Sequence, residues 1–236
     1  MSSLPVLFVP GLNCTASLWA TQLAALGAGR AVIVADHGRS ETIAAIAHDV
    51  LADAPPRFAL AGLSMGGYVA MEILRVAPER VDRLCLLDTQ PYADAPEASE
   101  VRRQLIDITE RGGFSKIAAM QYPKLVAPAR LDDTDLQKVV RAMADATGPA
   151  AFIRQQKAIL SRIDSRPSLA AIACPTTVVV GAEDQLTPPV MAREMAELVP
   201  GAHLVEIPDA GHLSPLERPD AVTAALAAWL GDDGPR

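Results

Sequence analysis

Gly62-Leu63-Ser64-Met65-Gly66-Gly67 is the stretch on which the reading of this chain turns. Before it runs Arg57-Phe58-Ala59-Leu60-Ala61, an apolar run of the length of a buried strand. After it come Tyr68 to Leu74, with helical spacing that ends before Pro78. Ser64 is thereby placed on a sharp turn from strand to helix. Such a turn forces its central residue into an unfavourable backbone conformation and brings the flanking chain together, so the positions two before and two after must lack bulk. Gly62 and Gly66 satisfy that condition. The hydroxyl is lifted clear of the sheet edge, and the Met65 N–H falls in the first helical turn, where unpaired donors and the helix dipole favour an anion. A phosphate loop would need a Walker lysine or a full G-x-G-x-x-G, and neither is present. The pattern therefore predicts a nucleophile elbow.

The remaining strands extend from that turn. Leu4 to Val9, Ala31 to Ala35, Val81 to Leu87, Thr176 to Val180 and Leu204 to Ile207 are short and largely apolar, as in a parallel sheet covered on both faces. Helical patterns lie between them: one capped by Ser17 and running to Gly27, others over 41–54, 189–199 and 219–230. Between the fourth and fifth strands the pattern changes. Helices are predicted over 96–111, 114–121, 132–147 and 150–163, an insertion too large for a simple sheet-covering connection. This divides the chain into an α/β core, 1–91 and 167–236, and a helical lid, 92–166. The tail 231–236 is expected to fray.

Composition narrows the class. The chain has 236 residues, half of them hydrophobic, and a formal charge of −7. One α/β domain with a large core fits that length, and neither disorder nor a nucleic-acid surface fits the composition. No apolar run approaches the roughly 18 residues of a membrane span. The N-terminal stretch lacks the basic region of a secretory signal, and Cys14, Cys85 and Cys174 have no metal spacing. The expectation is a cytoplasmic protein with reduced thiols, no metal, no organic cofactor and no membrane or nucleic-acid partner; oligomeric state is left open.

A serine hydroxyl needs a general base and a carboxylate to orient it. Of the four histidines, His212 follows a strand at the same sheet edge as Ser64, in a loop containing Gly211. His37, after the second strand, is the runner-up, while His48 lies in a helix and His203 at the wrong end of a strand. Asp88 and Asp184 each stand just past a strand end and compete for the acid. Asp184, beyond the insertion, gives the chain order serine, acid, histidine. Glu183 is expected to face solvent. The second oxyanion donor is assigned to the Leu12 N–H beside Met65, with Gly11 permitting the tight backbone and Asn13 able to add a contact. Trp19, Tyr92, Tyr122 and Phe152 are the candidate pocket residues, with Phe114, Met120 and Met143 further possibilities.

Taken together, Val9-Pro10-Gly11-Leu12 with Trp19, Gly62 to Tyr68, Pro78-Glu79-Arg80-Val81, Pro175-Thr176 with Gly181 and Asp184, and Gly211 to Pro219 resemble the α/β-hydrolase superfamily. Within it the chain is similar to small bacterial serine carboxylesterases with a helical lid, a group that includes pimeloyl-carrier methyl ester esterases. The resemblance spans nearly the whole length and implies an α/β-hydrolase fold. It further implies an acyl-enzyme on Ser64 with His212 and Asp184, and a small-molecule ester substrate. Pro10-Gly11 stands where many members have His-Gly, the loop 35–40 is short, and the two N-terminal strands of the larger fold have no room before Leu4. A six-stranded, mostly parallel sheet with helices on both faces is therefore expected. A lactonase, a carbon–carbon bond hydrolase, a lyase or a hydrolase-like ligand receptor are the alternatives on this scaffold.

Overall fold

The computed structural model describes residues 4–231. Six strands form one sheet: Val6–Val9 (β1), Val32–Val34 (β2), Phe58–Leu63 (β3), Val81–Leu87 (β4), Thr176–Gly181 (β5) and His203–Ile207 (β6). Their order is β2-β1-β3-β4-β5-β6, with every neighbouring pair parallel. All residues of β1, β3 and β5 are buried, which explains their continuous apolar runs: helices cover both faces. The edge strands β2 and β6 are only partly buried.

Alternation along β1 divides the core. Leu7 and Val9 join the cluster under Ile43–Asp53 (α2), Met65–Val76 (α3) and Pro189–Leu198 (α8), whereas Val6 and Phe8 face Ala20–Leu26 (α1) and Pro219–Leu230 (α10). Between β4 and β5 lie Pro96–Glu110 (α4), Ile117–Leu125 (α5), Thr134–Leu160 (α6) and the short Arg166–Leu169 (α7). One further short helix, Ser214–Glu217 (α9), precedes α10.

The two helices expected over 132–147 and 150–163 lie within Thr134–Leu160 (α6), separated by a kink at Gly148, whose φ of 73° and ψ of 165° are non-helical, before Pro149. α5 runs past the expected end at residue 121 and carries Pro123 inside. Ser17 does not cap α1: Thr15 accepts from the Ser17 N–H and starts a 3₁₀ turn that leads into the helix. The helix after β2 starts at Ile43, because the Thr42 hydroxyl accepts from the Ala45 N–H. α7 and α9 escaped the sequence reading because four residues carry no periodic signal. Gly231, at φ 77°, ends α10 in the left-handed conformation and donates to the Ala228 carbonyl at 3.0 Å. The rest of the tail anticipated to fray lies outside the described residues, as do residues 1–3 of the N-terminal stretch.

β1 is the point where the chain reverses its direction of growth across the sheet, adding β2 on one side and β3 on the other. Open α/β sheets form their crevice at the carboxyl ends of the strands beside such a reversal. The loop after β1 and the β3–α3 turn meet there. A Cβ on Gly62 would stand 2.3 Å from the Gly66 carbonyl oxygen, and one on Gly66 would stand 2.0 Å from that of Val9. Both obstacles are backbone of packed elements, so neither can swing aside. Gly66→Ala should lower the unfolding free energy by about 1–3 kcal/mol or more, read as a fall in the urea midpoint. Gly29→Ala, where an added Cβ meets nothing within 4 Å, should leave that midpoint near wild type.

Candidate active site

Ser64 has φ 54° and ψ −115°, an unfavourable conformation for a residue with a side chain. Neighbours hold it there. Its N–H donates to the Leu87 carbonyl at 3.0 Å, and its carbonyl accepts from the Thr89 hydroxyl at 2.7 Å and the Gly67 N–H at 2.9 Å. The strands on either side of the turn thus dictate where the hydroxyl goes.

Ser64 Oγ lies 2.9 Å from Nε2 of His212, and Nδ1 of His212 lies 2.8 Å from Oδ2 of Asp184. Asp184 follows β5 and His212 follows β6, so neighbouring strand ends carry acid and imidazole to the same rim. The Asp184 carboxylate also accepts from the Leu186 N–H at 2.8 Å, the Thr187 N–H at 3.0 Å and the Thr187 hydroxyl at 2.7 Å. Turn capping and imidazole orientation are therefore both performed by one side chain. Burial pushes the Asp184 pKa up, but the charge and hydrogen bond of His212, with the two hydrogen bonds from Thr187, outweigh it and hold the carboxyl below the usual range. Burial lowers the basicity of His212; the charge and hydrogen bond of Asp184 exceed that cost and leave the imidazole more basic than usual.

Asp88, the competing acid, is fully buried elsewhere in the network. Its Oδ1 accepts from the Gly181 N–H at 2.8 Å and its Oδ2 from the Ser214 hydroxyl at 2.5 Å. It joins the end of β4 to β5 and to the His212 loop. Burial, then the negative charge of Asp184, pushes its pKa up to about 8. Glu217 is a second brace that sequence reasoning missed: its carboxylate accepts from the Gly211 N–H at 2.9 Å and the Ala127 N–H at 2.7 Å. With the Leu213 N–H donating to the Leu125 carbonyl at 3.0 Å, it ties the helical insertion to the histidine loop. The only sequence signal for this was the spacing of Glu217 after His212.

On the other side of Ser64, the Met65 N–H stands at the first position of α3 and has no acceptor among the described residues. Among the described residues, no acceptor falls to the Leu12 N–H in the loop after β1. His37 serves this loop rather than Ser64: its Nε2 lies 2.9 Å from the Gly11 carbonyl oxygen, and burial lowers its basicity. Gln155 of α6 accepts from the Asn13 N–H at 3.1 Å. Asn13 itself adopts φ 58° and borders the cavity.

Ser64 and His212 open on a cavity of about 680 Å³ between the sheet edge and the insertion. Of the candidate pocket residues, Tyr92, Met120 and Met143 line it. Trp19, Tyr122, Phe152 and Phe114 do not. Trp19 is fully buried against Phe8 with ring centroids 4.6 Å apart, Phe152 packs on Phe114 at 5.4 Å, and the Tyr122 hydroxyl donates to the Arg130 carbonyl at 2.8 Å. Large rings were drawn into the core, where they bury the most apolar area, leaving much of the cavity wall to smaller side chains. Among the described residues, no group of three or more His, Cys, Asp or Glu side chains is arranged to hold a metal ion, and no helix is long and apolar enough to cross a membrane.

A parallel sheet carrying a strained serine bonded through histidine to aspartate defines the class of α/β hydrolases. Residues 6–225 match the model of the alpha/beta hydrolase family, and the chain belongs to that family. It is 30% identical to a pimeloyl-[acyl-carrier protein] methyl ester esterase of Pectobacterium carotovorum, over 93% of this chain and 90% of that protein. A thermophilic esterase from Thermogutta terrifontis, solved with malate bound, superposes with a TM-score of 0.89 at 32% identity, covering 98% of this chain and 90% of that one. The enol-lactonase of Burkholderia xenovorans superposes with a TM-score of 0.86 at 25% identity, over 98% and 92% of the two chains.

The raised pKa of Asp88 sets the sign of a stability effect. In the unfolded chain this carboxyl loses its proton near pH 4, whereas in the folded chain it keeps it to about pH 8. The folded state binds more protons across that window, so the contribution of Asp88 is complete below pH 4 and is lost as pH rises to 8. Asp88→Asn retains an acceptor for the Gly181 N–H and reverses the bond to Ser214, whose hydroxyl then accepts from the amide. Its urea midpoint, measured from pH 5 to 8, should fall less steeply than that of wild type.

Proposed function

We propose that this protein is a serine carboxylesterase acting on small or medium carboxylic esters. The observation that carries the reading is the continuous hydrogen-bonded chain from Asp184 through His212 to Ser64, at the floor of a cavity large enough for such a substrate. His212 takes the Ser64 proton as Oγ forms a bond to the ester carbonyl carbon. Asp184 fixes the imidazole tautomer and stabilises the imidazolium, and the Leu12 and Met65 N–H groups hold the oxyanion. The carbon–oxygen bond to the alcohol then breaks, and the alcohol leaves with the proton from His212. Water, deprotonated by the same imidazole, attacks the acyl-enzyme; the carboxylic acid departs and the Ser64 proton returns. Helices α4, α5 and α6 act as the lid over this site, the insertion 92–166, with the α/β core supplying the three side chains.

The names of the esterase relatives support ester cleavage as the reaction. The likeness to the enol-lactonase supports a second reading in which the leaving alcohol remains tethered to the acyl group. The same residues serve both, and the substrate alone separates them.

Turnover of 4-nitrophenyl butyrate tests the proposal directly. Ser64→Ala should lower kcat/KM by about four to six orders of magnitude; wild-type rates in that variant would end it. Asp184→Asn should cost about 10³–10⁴-fold. The histidine must be neutral to act as base, and Asp184 raises its pKa. The acid limb of kcat/KM against pH should therefore move to lower pH in Asp184→Asn.

A further inference from the structure

The charged side chains on the cavity wall, the imidazole aside, are Asp94, Arg102, Lys124 and Arg162. Three cations stand against one carboxylate in a chain whose formal charge is −7. Asp94 is shared: its Oδ2 accepts from Arg102 Nε at 2.8 Å, and its Oδ1 lies 2.6 Å from Arg162 Nη2. The Asp94 and Arg162 side chains are 3% and 4% exposed, and that of Arg102 is 20% exposed. One carboxylate neutralises one guanidinium, so this largely buried group retains a positive charge. Removal from water makes such a charge costly unless something compensates it.

The rest of the wall goes part of the way. Arg162 donates to the Tyr92 carbonyl at 2.9 Å and stacks 4.6 Å above the Tyr68 ring, which saturates the more deeply buried partner. Arg102 donates from Nη1 to the Gln156 side-chain oxygen at 3.1 Å. Among the described residues no acceptor falls to its Nη2. Lys124 likewise has no carboxylate partner among them. Tyr68, the platform under Arg162, stands four residues after Ser64, and both line the same cavity as the two guanidinium groups. The Nη2 amino group that remains carries two N–H donors and a share of the positive charge, which suits it to a carboxylate.

We propose that the substrate is an ester bearing a free carboxylate, such as the half-ester of a dicarboxylic acid, and that Arg102, backed by Arg162, holds that carboxylate while Ser64 attacks the ester carbonyl. This rests on the esterase reading and adds a substrate class to it. Uncommitted donors near the reacting centre make the anion a better ligand than a neutral chain of equal length. The cationic wall also raises the local concentration of anions despite the negative charge of the whole molecule.

The test compares two substrates of equal length, 4-nitrophenyl hydrogen adipate and its neutral methyl-capped diester. Wild type should favour the anion by about tenfold or more in kcat/KM, carried mainly by KM and diminished by salt. Arg102→Gln should reduce that ratio about tenfold, and Arg102→Lys should restore part of it. A wild-type ratio of one or below, or a ratio that Arg102→Gln leaves unchanged, overturns the proposal. Should Arg102→Gln fail to fold, as read by circular dichroism, the wild-type ratio and Arg102→Lys decide. Calorimetric titration of Ser64→Ala with adipate separates this proposal from the one beneath it. If neither ester is cleaved, the esterase reading fails, while adipate binding about tenfold tighter than hexanoate would uphold the carboxylate site and equal or weaker binding would reject it.

Discussion

The approach of backbone to backbone where β1, β3 and α3 converge is the constraint on which the site depends. The Cα of Gly66 sits against the Val9 carbonyl so closely that no side chain fits between them. This approach brings the loop after β1 alongside the first turn of α3, with Gly11 close to Ser64. It also sets the price of Ser64's positive φ. That conformation persists because bonds from Leu87, Thr89 and Gly67 over-determine it. Rigid sheet on one side and helix on the other leave the hydroxyl little freedom before any substrate arrives, which lowers the entropy lost in reaching a reactive geometry.

Beneath the rim, three carboxylates surround one imidazole, and their environments separate their tasks. Asp184 receives several donors and remains ionised; Asp88 is deeper and keeps its proton to higher pH; Glu217 spends both oxygens on backbone N–H groups. A site with all three fully charged at such depth would repel itself, and protonation of one relieves the repulsion. The braces from Asp88 and Glu217 reach β5, the His212 loop and the insertion. The position of the imidazole is therefore coupled to the packing of the helices above it.

The insertion supplies the chemical character of the cavity as well as its roof. α4 brings Arg102, and Arg162 follows α6, while the segment before α4 brings Asp94. The core contributes Tyr68 as the platform under Arg162. In the proposed reading, reaction type and substrate preference fall to different parts of the chain: strand ends carry Ser64, Asp184 and His212, and the segment between β4 and β5 presents the surplus positive charge.

Local sequence was sufficient for the strand-turn-helix at Ser64, because its glycines and apolar runs act on neighbouring backbone, and for the six-stranded alternating order, because burial on two faces leaves continuous apolar runs. It also placed Asp184 and His212 past strand ends, since chain order and sheet topology leave few positions at one rim. Between Asp88 and Asp184 the sequence favoured Asp184 only through chain order. Both are aspartates after strands, and only the packing of β4, β5 and β6 directs one to Nδ1 of His212 and the other to Gly181 and Ser214. Trp19, Tyr122, Phe152 and Phe114 fall outside the cavity wall for a related reason: a ring's hydrophobicity indicates that it will be buried, while the tertiary arrangement decides whether it is buried in core or cavity. The pairing of Arg102 and Arg162 through Asp94 links residues far apart in sequence, and so belongs wholly to the folded chain.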